Sequence, residues 1–139
     1  MQALVYTSRA TLPVTDRAID RILRDARVNN PALGLTGMLL WSERSFAQLL
    51  EGPISGLDEM LRRLVADKRH ENVRVLSRWE AEARLFRDWS MASNRLDRHA
   101  PWPLLDREDG ESRGRLCGDI LELMARVRIN AARAAESAR

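Results

Sequence analysis

Strand-like and helix-like stretches follow one another along this chain in the order β-α-β-β-α-β, and that order leaves few folds open. Gln2 to Thr7 alternates as a first strand, with Leu4 and Tyr6 on one face and Ala3 and Val5 on the other. Thr15 is placed to cap a helix with Asp16 in its first turn, and Ala18, Ile19, Ile22, Leu23 and Ala26 supply the apolar stripe. Asn29-Asn30-Pro31 is predicted to stop that helix. Leu35 to Trp41 and Ser45 to Glu51 form a hairpin around the polar turn Ser42-Glu43-Arg44. Ser55 is predicted to cap a second helix, with Asp58 three residues on and Leu57, Met60, Leu61, Leu64 and Val65 on its buried side. Val73 to Trp79 is a fourth strand, and a short fifth is expected around Trp89-Ser90-Met91. Right-handed crossovers then predict an α+β fold, a ferredoxin-like βαββαβ(β) sheet with both helices on one face. The first and third strands are expected to be central, adjacent and parallel.

Within this frame one residue is out of place. Strand alternation sets Gln48 on the same face as Phe46 and Leu50, so a carboxamide is buried among apolar neighbours. A buried amide must find partners for both its oxygen and its nitrogen. The topology brings Tyr6 alongside it, both pointing towards the helices, with Asn30 at the end of the first helix. A phenol and two amides contain no strong acid, no metal-ligand set and no nucleophile with an adjacent base. They suit a ligand rich in carbonyls and ring nitrogens.

Composition narrows the classes further. The chain has 139 residues and a formal charge of +3, but its basic residues are scattered among acidic ones, whereas nucleic-acid binding needs a concentrated patch. No apolar run approaches a membrane span and no export signal is visible, so a cytoplasmic protein is expected. A lone Cys117 excludes an internal disulfide and a cysteine-based metal cluster.

Six segments carry a family resemblance: Leu4-Val5-Tyr6-Thr7-Ser8, Ala26-Arg27-Val28-Asn29-Asn30, Leu35-Thr36-Gly37-Met38-Leu39, Phe46-Ala47-Gln48-Leu49-Leu50-Glu51-Gly52, Asp67-Lys68-Arg69-His70 and Arg84-Leu85-Phe86-Arg87-Asp88-Trp89-Ser90-Met91. In order and spacing the chain resembles the BLUF family, blue-light sensors that use flavin adenine dinucleotide (FAD), over residues 2 to about 95. The resemblance implies that Tyr6 donates an electron and a proton to the excited flavin. It makes Gln48 the amide that rearranges between that tyrosine and the ring, shifting the absorption reversibly to the red. It also implies that Asn30 bonds the isoalloxazine edge with Asn29 beside it, and that Ile22 and Leu64 sandwich the ring. Arg63, Asp67, Arg69 and His70 match positions near the ribityl chain and phosphates. Trp89 and Met91 match residues that carry the change outward. Ala26 departs from relatives that carry a serine near the flavin.

Each of these residues also has a bland reading. Tyr6 alone is a core tyrosine, Asn29 and Asn30 a helix terminator, Arg69 and His70 a solvated helix end, and Trp89 and Met91 edge-strand packing. The joint pattern, not any one residue, favours the sensor. An acylphosphatase-like hydrolase on the same topology would need an anion-binding loop after the first strand, and Ser8-Arg9-Ala10-Thr11 has no glycine-rich nest. An RNA-binding sheet would need aromatics on the open face, where alternation puts Ala3, Val5, Ala47 and Leu49.

Residues 1–95 are therefore expected to be the flavin-binding domain, 96–112 a linker and 113–139 a C-terminal helix, with no room for a catalytic output domain and hence no enzyme activity. Leu116, Ile120, Leu123 and Val127 form a stripe on that helix that must cover either the exposed sheet face or another chain. The expected partners are a second copy of the chain or an effector protein, met through this helix and the sheet face.

Overall fold

A single five-stranded sheet in the order β4-β1-β3-β2-β5 organises the molecule. In the computed structural model residues 1–88, 91–95 and 110–137 are described, the first three of the last stretch by backbone alone. The strands are β1 (Gln2–Ala10), β2 (Thr36–Trp41), β3 (Ser45–Gly52), β4 (His70–Glu80) and β5 (Ala92–Arg95). The helices are α1 (Asp16–Ala32), α2 (Ile54–Ala66) and α3 (Gly110–Ser137). The α+β ferredoxin-like reading holds, with β5 added in parallel beside β2.

One directional expectation is overturned. β1 and β3 are central and adjacent, but they run antiparallel, with Tyr6 opposite Gln48 and Leu4 opposite Leu50. The α1 crossover makes β2 parallel to β1, and the hairpin then reverses the chain into β3, which lies between them. The side-chain face is unaffected, because both directions keep the alternation in phase at this pair.

The helix ends depart further from their local sequence signals. Thr15 does cap α1, accepting from the Ala18 amide at 3.1 Å. Pro31, however, sits inside the last turn and the helix continues to Ala32. A proline there removes a single helical hydrogen bond. The stop comes at Leu33, whose amide reaches the carbonyls of Asn29 and Asn30, and at Gly34, with φ +72°. Helix α2 starts two residues earlier than a cap at Ser55 would set it, with Pro53 at its cap and no side-chain capping bond. Gly56 lets this helix close on the end of α1, since a Cβ there would lie 2.2 Å from the Leu33 carbonyl oxygen. Val65 points to solvent, and the buried stripe is carried by Leu57, Met60, Leu61 and Leu64.

The expected fifth strand is displaced. It begins at Ala92, one residue after Met91, while Trp89 and Ser90 lie outside the described residues. Most of the expected linker, 96–109, also lies outside them, and α3 begins at Gly110, within the stretch expected to be linker.

Each sheet face has its own core. Leu4, Tyr6, Leu39 and Leu50 point up against Ile19, Leu23, Leu57 and Leu64 of α1 and α2. On the opposite face Ala3, Val5, Met38, Leu40, Ala47 and Leu49 pack with Phe86 and with Leu116, Cys117, Ile120 and Met124 of α3. The stripe of α3 therefore covers the chain's own sheet, and the surface expected to receive a partner is filled from within. Beyond Val127 the described helical residues are exposed. Among the described residues no helix is long and apolar enough to cross a membrane.

This packing predicts a contrast along α3. Ile120→Ala removes a fully buried side chain and should lower the unfolding free energy by ~2–5 kcal/mol in urea titrations. Ile129→Ala, at a half-exposed position, should change it by less than about 0.5 kcal/mol.

Candidate functional site

The two helices above the sheet leave a cleft between them whose floor is polar. Tyr6 of β1, Gln48 of β3 and Leu39 of β2 form that floor as cross-strand neighbours. One wall is the α1 face of Ile22, Asp25, Ala26, Asn29 and Asn30, spaced at helical intervals. Met60, Arg63 and Leu64 of α2 form the other wall, and Asp67, Arg69 and His70 close one end.

The floor residues satisfy one another. The Tyr6 hydroxyl donates to Gln48 Oε1 in a short hydrogen bond, with both side chains nearly out of contact with solvent. Gln48 Nε2 donates to Met91 Sδ at 3.2 Å, so both ends of the amide are engaged. Burial pushes the Tyr6 phenol well above its ordinary value, Asp67 adds to the rise and Arg69 opposes it. Tyr6 therefore stays protonated and acts as the donor.

Charged groups gather at the rim. Arg69 forms a two-point contact with Asp67, with Nη2 to Oδ2 at 2.7 Å and Nε to Oδ1 at 3.1 Å, and its Nη1 reaches Asp25 Oδ2 at 3.3 Å. Burial works to raise the Asp67 carboxyl, but the bonds from Arg69 hold it below its usual value. Arg63 is turned towards Glu59, its Nε 3.0 Å from Oε1. His70 is tucked beneath the rim, its Nδ1 2.9 Å from Ser8 Oγ and its ring 4.7 Å from the Phe46 ring. Burial lowers its pKa from the ordinary 6.5.

Tyr6, Ile22, Asn29, Asn30, Gln48, Arg63, Leu64, Asp67, Arg69 and His70 thus come together in one cleft. Met91 meets Gln48 directly, and Trp89 lies outside the described residues. Sequence reasoning missed Asp25, which helical spacing from Ile22 and Asn29 would have placed on the same wall. It also missed the acid Glu51 on the far face of β3. That carboxylate accepts the amides of Leu85 at 2.5 Å and Phe86 at 3.1 Å and the Thr36 hydroxyl at 3.0 Å. Arg84 closes the same cluster with bonds to the carbonyls of Gly34 and Glu51 and to Thr36 Oγ1.

The donor set fits a flat heteroaromatic ring with a polar edge and an anionic tail. Ile22 and Leu64 present apolar surface from opposite walls, the floor and Asn30 offer amide donors and acceptors, and the rim supplies guanidinium groups. Stability should report the charges at this rim. A histidine whose folded pKa is lowered contributes fully above its unfolded value of 6.5, and that contribution is lost as pH falls through the folded value. Asp67, also lowered, adds a loss in the same direction below its ordinary 3.8. The protein should therefore become less stable to urea between about pH 7 and pH 5, and His70→Gln should flatten that slope.

Comparison with known proteins agrees with this geometry. Residues 1–92 match the family model BLUF, sensors of blue light using FAD. Over 99 residues the chain is 30% identical to the photoactivated adenylate cyclase subunit beta of Euglena gracilis, a match covering 70% of this chain. The chain spans only about 12% of the length of that relative. Among solved structures, the dark state of the BLUF protein BlrB is 39% identical, with a TM-score of 0.65 over 68% of this chain and 71% of that one. A bacterial light-regulated adenylyl cyclase is alike in fold over 99% of this chain and 36% of that one, at 23% identity and a TM-score of 0.64. The fold, the cleft and the family match agree: the chain belongs to the BLUF family, sensors of blue light that use FAD.

Proposed function

We propose that the hydrogen-bonded pair of Tyr6 and Gln48 is the switch of this blue-light sensor. The observation that carries the reading is the Tyr6 hydroxyl donating to Gln48 Oε1 on the floor of the cleft between α1 and α2. FAD, when bound, supplies blue-light absorption and an excited state that accepts an electron. Ile22 and Leu64 would flank its ring, Asn30 with Asn29 beside it would hold the ring's edge, and Arg63, Asp67, Arg69 and His70 would face the ribityl chain and phosphates.

Tyr6 is the electron donor. A phenol that loses an electron becomes strongly acidic, so its proton passes to Gln48 Oε1 along the bond already formed. Return of one electron and one proton to Tyr6 leaves the protein redox-balanced. Gln48 is left free to settle with its donor and acceptor ends exchanged, by rotation or tautomerisation. Rotation takes Nε2 away from Met91, so Met91 reads the orientation of the amide. The two arrangements are discrete because neither end of a buried amide tolerates being without a partner.

The output is a protein contact. Relatives of this chain include photoactivated adenylate cyclase subunits, which supports reading the domain as a sensor attached to or acting on an effector. With the inner stripe of α3 held on its own sheet, the outward side of that helix is the surface offered to an effector or to a second copy. The hydrolase alternative has no such support. Ser8 and His70 are a hydroxyl and an imidazole in contact, but Ser8 is 1% exposed and His70 packs on Phe46. The Ser8 hydroxyl is not presented to a substrate.

The purified protein should be yellow, and blue light should shift its flavin spectrum reversibly to the red. Tyr6→Phe should retain FAD while losing the red shift. A colourless protein that takes up no added FAD, or a Tyr6→Phe variant that cycles normally, rules the reading out.

A further inference from the structure

On β3, Gln48 and Glu51 stand three residues apart and therefore face opposite sides of the sheet. Gln48 looks into the cleft, whereas Glu51 looks towards the face that α3 covers. Glu51 is 2% exposed, yet its carboxylate is hydrogen-bonded on both oxygens. Oε1 holds the Leu85 amide, and Oε2 holds the Phe86 amide and the Thr36 hydroxyl. A surface loop does not need a buried acid to hold its backbone, and burying one is expensive unless it is fully bonded.

What this carboxylate holds is the connection from β4 to β5, the segment that also carries Met91. Arg84, just before the clamped amides, binds the carbonyls of Gly34 and Glu51, so the connection is tied to the end of β3 and to the α1–β2 turn together. Just after them, the Phe86 side chain lies in the apolar cluster with Leu116, Cys117, Ile120 and Met124 of α3. One segment thus touches the switching amide at Met91, the switch strand at Glu51 and the helix at Phe86.

We propose that Glu51 is a positioning residue for signalling: its carboxylate fixes the Met91 segment to β3, so that a change at Gln48 is delivered through Phe86 to α3. The inference rests on the Tyr6–Gln48 reading of the switch. If Glu51 only stabilised the fold, its loss would affect the dark and lit states alike. If it positions the segment, its loss separates the flavin response from the helix response.

The test uses the full FAD-loaded chain, with absorption and backbone hydrogen exchange measured in the dark and under blue light. Wild-type protein should show the red shift together with a light-dependent change in exchange over residues 116–127. Glu51→Gln keeps shape and one acceptor oxygen. It should retain the red shift but reduce the light-minus-dark exchange difference about fivefold, the scale of one lost hydrogen bond. Thr36→Val, which removes one donor to the same carboxylate, should fall between the two and stands in if Glu51→Gln does not fold. An unaltered light-minus-dark difference in the variant overturns the proposal, as does a wild-type protein whose α3 does not respond, or a variant that loses the red shift itself. A wild-type protein without a red shift fails the switch reading instead, and the proposal with it.

Discussion

A phenol and a carboxamide held side by side in an apolar sheet are the constraint from which the rest of this structure follows. Tyr6 and Gln48 are buried where neither can turn to water, so each polar atom must be answered by the protein or by a ligand. Leaving one such group unanswered costs about 1–3 kcal/mol, a sizeable fraction of the stability of a domain this size. The Tyr6 hydroxyl has one donor and gives it to Gln48, while the Gln48 amide nitrogen is answered, among the described residues, by a thioether, a weak acceptor. That arrangement is satisfied but not deeply so, which leaves an alternative orientation of the amide within reach.

The sheet makes this pair useful because its two faces do different work. The upper face keeps its helices apart over Tyr6 and Gln48, so a cleft survives where a tighter core would close it. The lower face carries its own apolar core, in which Leu116, Cys117, Ile120 and Met124 of α3 pack with Ala3, Val5, Ala47 and Leu49. Small side chains on the central strands allow that helix to come close. That lower core helps hold β1 and β3 in register, and their register is what sets Tyr6 opposite Gln48. A helix that looks like an appendage in the sequence therefore contributes to the geometry of a site on the far side of the sheet.

Periodicity and topology made the Tyr6–Gln48 pair legible, and the family resemblance supplied most of the rest of the cleft. Strand alternation put Tyr6 and Gln48 on the helix-facing side, and helical spacing put Ile22 and Leu64 on the apolar stripes of their own helices, because both depend only on local geometry; that the two face each other across the cleft was what the family resemblance implied. The same local rules failed where tertiary contact decides. Pro31 reads as a stop but is absorbed into a last turn closed by Leu33 and Gly34, and Val65 fits the α2 stripe by hydropathy yet faces solvent. The relative direction of β1 and β3 required following the chain through the crossover and the hairpin, a global property that face assignment does not test. The bond from Arg69 to Asp25 and the Glu51 cluster were invisible for a related reason. They join residues 44 and 34 to 35 positions apart, and no spacing rule reaches across such separations.

Cys117 and Met91 show how burial sorts sulfur into separate roles. Cys117 is packed under α3 on the lower face, where burial raises its pKa and keeps it a thiol. It lies across the sheet from the cleft and is an inert part of the core. Met91 sits on the upper side against the amide nitrogen, where a flexible, polarisable side chain accepts a weak hydrogen bond and yields it at little cost. A stronger acceptor at that position would hold Gln48 in one orientation, and a purely apolar one would leave Nε2 unanswered in the dark. The weakness of the contact is thus what the proposed switch requires. The connection that bears Met91 is bound at Arg84, Leu85 and Phe86, whereas Met91 itself meets the amide through this weak contact.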